Sequence, residues 1–211
     1  MATQANTTIR VNGQSNSANT YTLANPGDYV VIPWDKYTNQ NMHLKADNDI
    51  FVYQTTAGND GSYSPGMMFI PRLTEDATKD VLITGVSQIG SPTLYLVVKK
   101  GSSTFINGVE VDNQTALQVD GTNKWVAYRI TNLVPYGGAN VDFNIVSTGP
   151  MSAGVTSISG VSGAGGYYSG FSIDNSNSGV GQFGTKNLTV RCAGSIELLA
   201  QGGIDYQWSA V

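Results

Sequence analysis

Histidine chemistry in this chain rests on one residue. His43 is the only histidine, and in Met42-His43-Leu44-Lys45 it alternates with apolar neighbours. That pattern reads as the solvent side of a strand. A His-dependent triad or an ordinary zinc site would need more ligands than one imidazole. Cys192 is the only cysteine, so no disulfide forms within the chain. Its strand-like setting reads as a buried, inert thiol. Gly179-Val180-Gly181-Gln182-Phe183-Gly184 matches Gly-x-Gly-x-x-Gly. A dinucleotide site needs a strand before that match and a helix after it. Here Asn and Ser precede, and the strand-like Lys186–Arg191 follows, so the match reads as a glycine loop. There is no Gly-x-Ser-x-Gly elbow and no Walker lysine. The glutamates are Glu75, Glu110 and Glu197, and no pair of them recommends itself for glycoside hydrolysis. No catalytic residue is assigned, and the chain is expected not to be an enzyme.

Calcium is the one metal the sequence offers. In Asp174-Asn175-Ser176-Asn177-Ser178-Gly179, the oxygens of Asp174, Ser176 and Ser178 alternate before a glycine, as a calcium loop begins. Thr185 stands where the acidic twelfth residue would be. The same residues are ordinary turn formers, so a calcium site and a plain turn both stay open. No other cofactor is expected. The candidate ligand-binding residues are Tyr167, Tyr168, Asp174 and Asn175. Aromatic rings stack on sugars, while amides and carboxylates bond hydroxyls.

These residues sit in a chain with little charge. Only 12% of the 211 residues are charged, about half the usual share of roughly 25%. The run Phe143–Ile173 holds no charged residue at all. Two readings fit it: buried strands joined by glycine turns, or an uncharged aromatic rim. The net charge of −4 argues against nucleic acid, which wants a basic stripe. No stretch approaches the ~20 apolar residues of a membrane span. The polar residues after Met1 do not form a signal peptide, so the bare sequence fits a cytosolic chain or a secreted one whose signal has been removed.

Short apolar runs rich in β-branched and aromatic residues predict the elements. Candidate strands are Thr8–Val11, Tyr21–Ala24, Tyr29–Ile32, Met42–Lys45, Ile50–Gln54, Met67–Ile70, Val81–Thr84, Leu94–Lys99, Thr104–Ile106, Val109–Val111, Ala116–Val119, Trp125–Thr131, Val141–Val146, Gly154–Ser157, Tyr167–Phe171, Leu188–Arg191, Ile196–Ala200 and Asp205–Trp208. Asn107-Gly108 between two alternating runs predicts a type I′ hairpin. Thr74–Lys79 is the best helix candidate and reads equally as a loop. In Trp125–Ile130 one alternating set should face a core and the other water or a second layer. The fold class is therefore all-β: an antiparallel β-sandwich of many short strands with little or no helix.

Several segments, in order, carry a family resemblance. They are Tyr21–Tyr29, Asp49–Gln54, Gly66–Leu73, Gln88-Ile89-Gly90, Phe105–Gly108, Tyr128–Leu133 and Gly165–Phe171. Together they resemble the domain named after the N-terminal region of the IgG-Fc-binding protein, and most closely its bacterial branch in large secreted surface proteins of gliding Bacteroidota-type bacteria. The resemblance covers Thr8 to Asp174. It implies an extracellular, multi-domain, adhesive setting and supplies no catalytic residues. Where the family often has Pro-Pro-Leu and a cysteine, this chain has Pro71-Arg72-Leu73-Thr74, which removes a disulfide role there. Tyr53 and Gln54 recur in the family-like pattern and are read as core. The stretch Val190–Ala200 with Tyr206-Gln207-Trp208 is similar to the opening of an Ig-like module. This divides the chain into a main β domain, 1–186, and a segment 187–211 that either starts an Ig-like module or packs back as C-terminal strands. The expected function is a non-catalytic binding module of a bacterial surface protein, with glycans or surface proteins as partners. The alternatives are a structural subunit or spacer of a surface fibre and, with less behind it, a glycan-acting enzyme.

Overall fold

The computed structural model describes residues 1–56, 66–84, 91–159 and 162–168. All of them belong to the first of two compact units, Met1–Phe171 and Ser172–Val211. Asp174, Asn175, Ser176, Ser178, the glycine loop at Gly179 and the boundary at 186/187 lie outside the described residues. The strands are β1 (Thr7–Val11), β2 (Thr20–Leu23), β3 (Leu44–Ala46), β4 (Tyr53–Thr56), β5 (Gly66–Phe69), β6 (Asp80–Ile83), β7 (Pro92–Lys99), β8 (Thr104–Ile106), β9 (Val109–Glu110), β10 (Leu117–Gln118), β11 (Trp125–Ile130), β12 (Phe143–Ser147), β13 (Met151–Ser159) and β14 (Ser162–Tyr167). All pairings are antiparallel. The described residues contain 3-10 turns but no α-helix, as the sequence predicts for an all-β sandwich.

The main core lies between two sheets. One has the order β10-β11-β7-β13-β14 and the other β6-β12-β8-β9. Period-2 alternation decides which residues enter it. In β7, Pro92, Leu94, Leu96 and Val98 are buried, while Thr93, Tyr95 and Val97 between them are half-buried on the other face. Leu94, Leu96, Ile106, Phe143, Ile145, Met151 and Val155 meet in one cluster. Full burial of each such side chain is worth roughly 1.5–3 kcal/mol. In β11, Val126, Tyr128 and Ile130 point to that core, and Trp125 and Ala127 point to a second layer. β13 is buried on both faces from Met151 to Ser157. A charge there would lose its hydration without gaining a partner, which accounts for the centre of the uncharged run.

The second layer is the N-terminal part of the chain. It contains the sheet β2-β1-β3 and the hairpin β4-β5. β5 and β4 lie against β14. Arg129 Nη1 donates to Gln40 Oε1 at 3.0 Å, and Asn41 Nδ2 donates to the Gln118 carbonyl at 2.9 Å. Gly13 and Gly121, at φ +71° and +81°, touch backbone to backbone; a Cβ on Gly121 would lie 2.3 Å from the Gly13 nitrogen. Only glycine fits both the positive φ and the contact.

This N-terminal part repeats the architecture of the two main sheets. Val11 pairs with Leu44, and one step outward the Asn12 N–H donates to the His43 carbonyl while the His43 N–H donates to the Asn12 side chain. Ile106 pairs with Ile145, and one step outward Asn107 and Asn144 do the same. Both Asn12 (φ 52°) and Asn107 (φ 50°) are left-handed and precede a glycine. In each, Oδ1 accepts from the partner's N–H at 2.9 Å, and Nδ2 donates at 2.8 Å to the last carbonyl of a 3-10 turn, Lys36 or Tyr136. The order β2-β1-β3 thus mirrors β9-β8-β12, and the hairpin β4-β5 mirrors β13-β14. Trp34–Lys36 stands where Val134–Tyr136 does.

The repetition explains one departure from the sequence reading. Tyr29–Ile32, expected as a strand, occupies the place of β11 but is unpaired, with Tyr29 75% and Val31 78% exposed. Thr74–Lys79 is a loop rather than a helix. It is held where Glu75 takes Lys99 at 2.7 Å and Lys124 at 3.3 Å.

Candidate binding surface

Tyr167 ends β14 and Tyr168 follows it, and successive residues of an extended chain turn to opposite faces. The Tyr167 ring lies over Gly154, where a Cβ would come within 3.1 Å of it. Burial, with the neighbouring phenols of Tyr37 and Tyr95, pushes its hydroxyl up to about 12, so it stays protonated at all ordinary pH. Beside it is a cavity of about 30 Å³ lined by Gln54, Met68, Tyr95, Thr156 and Gly166. Tyr168 is 49% exposed, and its N–H donates to the Ala153 carbonyl at 2.9 Å. The structure therefore offers Tyr168 to solvent and turns Tyr167 inward. A second, open hollow of about 220 Å³ lies at Gln118, Thr122, Asn123 and Trp125. Both hollows are smaller than the ~300–1,000 Å³ of ordinary ligand pockets.

The larger exposed apolar feature was not legible as such. In β4-β5, Tyr53 pairs with Phe69 and Thr55 with Met67, all on one face. Tyr53 stands edge-on to Phe69 at 5.6 Å, and Phe51 is tilted to Phe69 at 6.3 Å. Tyr53 is 53% and Met67 65% exposed, so Tyr53 is not the core residue that the sequence suggested. Gln54 and Met68, on the opposite face, are the inward pair. Near this surface, Arg72 and Asp49 form a solvent-exposed ion pair at 3.8 Å. Alternation was the available signal: odd residues 51, 53, 67 and 69 are all large and apolar.

The described carboxylates with shifted ionisation are held low. The Thr8 N–H does this for Asp47, and the two lysines do it for Glu75. Each is tuned to stay charged, the opposite of a general acid. Among the described residues, no three His, Cys, Asp or Glu side chains gather as a metal site would require. No described helix is long and apolar enough to cross a membrane.

His43 is half-buried just before β3 rather than on the solvent side. Its Nδ1 has no hydrogen-bond partner. Burial first, and Lys45 second, hold its pKa below 6.5. The unfolded chain then takes up this proton before the folded one does. The ring's contribution to stability is complete above pH 6.5 and is lost as pH falls towards the folded value. His43→Leu should flatten the fall in Tm between about pH 7 and about pH 5. Thermal melts at both values check this, and an unchanged slope would refute it.

No curated protein and no solved structure matches this chain. A family model described as IgGFc binding protein matches residues 1–157, through both halves of the repeated architecture. The chain therefore belongs to the IgGFc binding protein family.

Proposed function

We propose that the chain is a non-catalytic, extracellular binding module of a larger surface protein, and that it meets a protein partner through the face of Phe51, Tyr53, Met67 and Phe69. The exposed aromatic cluster on β4-β5 carries this reading. Aromatic and Met side chains are the residues enriched in the buried centres of interfaces. The four side chains share one face of the β4-β5 hairpin, an arrangement that suits a protein partner better than a small ligand, which needs a concave pocket. The family's name describes a protein that binds IgG Fc, so Fc is the first probe to try. Tyr53→Ser with Met67→Ser should weaken partner binding at least about tenfold, the scale of one lost anchor, and leave the melting curve unchanged. Surface plasmon resonance on immobilised Fc measures it. Binding that survives the double change would remove this face from the account.

A glycan contact is proposed at Tyr168, with Asp174 and Asn175 following it in sequence. A glycan array read with Tyr168→Ala tests that part separately. A bacterial adhesin of the Bacteroidota type is the setting proposed for both contacts. The second reading is a structural subunit of a surface fibre. The free edges of β3 and β4 favour it: each pairs on one side only among the described residues. Such edges template pairing with another chain.

A further inference from the structure

The open hollow at Gln118, Thr122, Asn123 and Trp125 follows from the local sequence. β10 is two residues long, and its last residue, Gln118, pairs with Val126 of β11. Trp125 has a strand partner in Lys99 of β7 and none on the β10 side. There the chain leaves the sheet and turns through Asp120-Gly121-Thr122-Asn123, residues that favour turns over strands. Gly121 is pinned against Gly13, where the first copy of the repeated architecture touches the second. Thr122 Oγ1 accepts the Lys124 N–H at 3.1 Å, and the Lys124 carbonyl accepts the Lys100 N–H at 2.7 Å. These contacts fix the loop. The gap beside the short strand is the hollow of about 220 Å³.

Its lining brings together two carboxamides, Gln118 and Asn123, the Thr122 hydroxyl and the Lys100 ammonium, with Val126 as an apolar neighbour. The side chains of Gln118, Asn123 and Lys100 have no hydrogen-bond or ion-pair partner among the described residues. The bond from Asn41 reaches the Gln118 backbone carbonyl and leaves its amide free. Nearby polar groups instead bind one another. Glu75 takes both Lys99 and Lys124, so Lys100 is the lysine of this corner whose charge is unpaired. A carboxamide both donates and accepts, as neighbouring sugar hydroxyls do. An ammonium is a compact point charge for an anion. The volume falls below the range of drug-sized pockets and suits one sugar ring.

We propose that this hollow binds one anionic sugar residue, a hexuronate or a sulfated hexose. Gln118, Thr122 and Asn123 take its hydroxyls, and Lys100 takes its charge. The site shares no residue with the β4-β5 face or with the contact at Tyr168, so it stands or falls apart from both. The net charge of −4 gives the chain no general attraction for anions. Selection of an anionic sugar therefore comes from Lys100 and the hydroxyl contacts together. A few exposed contacts give about millimolar affinity for a single residue. Many chains displayed together would hold a polymer of such residues far more tightly.

Amide NMR on the full chain, titrated with glucuronate, a sulfated glucose, plain glucose and acetate, tests this. Glucuronate or the sulfated glucose should move the signals of Lys100, Gln118, Thr122 and Asn123 and saturate. Glucose should move the same signals more weakly. Lys100→Met should weaken the anionic sugar about two- to fivefold, the scale of one exposed ion pair, and bring it towards glucose. Gln118→Ala with Asn123→Ala should weaken both sugars about tenfold, the scale of two hydrogen bonds. Both side chains are exposed, so Tm should hold; if it falls, the signals of the wild type and Lys100→Met still decide. Acetate acting as strongly as glucuronate would reduce the hollow to an adventitious anion site and overturn the sugar. Shifts centred on Tyr168 would assign the sugar to the contact proposed there and overturn this one. Absence of shifts with all three sugars overturns the proposal outright.

Discussion

Gly121→Ala lowers the stability of the protein by about 2–5 kcal/mol, a conformational cost of ~1–2 kcal/mol added to an overpacking cost of ~1–3 kcal/mol. The first part arises because Gly121 has φ +81°, where a Cβ crowds its own backbone. The second arises because that Cβ would lie 2.3 Å from the Gly13 nitrogen and 2.5 Å from the Asn12 carbonyl carbon. These are backbone atoms and have no rotamer with which to retreat. The two turns would have to separate, and with them the contact that fastens the first copy to the second. Thermal and urea melts measure the loss. Gly108→Ala is the control: Gly108 has φ +80° but no atom within 4 Å of its would-be Cβ. It should cost only the conformational part, about 1–2 kcal/mol. Equal losses at the two glycines would show that the close contact contributes nothing.

Asn12→Ala should cost about as much, 3–5 kcal/mol, because buried partners left unpaired cost ~1–3 kcal/mol each. Asn12 is buried. Its Nδ2 serves the Lys36 carbonyl at 2.8 Å and the Thr38 hydroxyl at 3.2 Å, and its Oδ1 takes the His43 N–H at 2.9 Å. Alanine would also occupy φ 52° without the local bonding that lets Asn tolerate it. Asn12→Asp is the more telling change. It keeps the acceptor for His43 but sets a carboxylate against the Lys36 carbonyl. Burial and that carbonyl would raise the folded carboxyl's pKa above its unfolded value. The folded state then holds the proton more tightly, so the variant is least impaired at low pH and loses stability as pH rises through the folded pKa. Urea melts at acid and neutral pH measure this. A deficit that does not grow with pH would mean that the carboxylate has found a donor.

The all-β class and the positions of most strands were legible because alternation and turn chemistry are local. Thr104–Ile106 and the turn at Asn107-Gly108 follow from residues within one hairpin, and both stand as expected. What the sequence did not reveal depends on partners far along the chain. Tyr29–Ile32 has the residues of a strand, but alternation does not say whether a neighbouring strand is present. Tyr53 and Gln54 have the same pattern whichever of them faces inward; β14 takes Gln54 and leaves Tyr53 out. His43 was placed by its apolar neighbours, yet its depth is set by Asn12 reaching across from the end of β1. The duplication has few identical residues to announce it. Its marks are two Asn-Gly dipeptides, separated by loops of unequal length.

The two Asn-Gly corners also bear on how the protein ages. An asparagine followed by glycine is the pair most open to deamidation, because glycine has no side chain to shield its nitrogen from the neighbouring carboxamide. Ring closure needs that carboxamide to swing towards the glycine nitrogen. At Asn12 and Asn107 it is held at both its oxygen and its nitrogen, so folding keeps the reactive carbon out of line. Each local opening releases it. The products at Asn12 are isoaspartate, which adds a carbon to the backbone of the corner, and the aspartate whose carboxylate opposes the Lys36 carbonyl, so a chain that reacts while open closes less well afterwards. Chemical damage then accumulates at the free-peptide rate scaled by the fraction of time that the corner stands open. A long-lived protein with these two corners would record, in its deamidated fraction, how much of its life it has spent open.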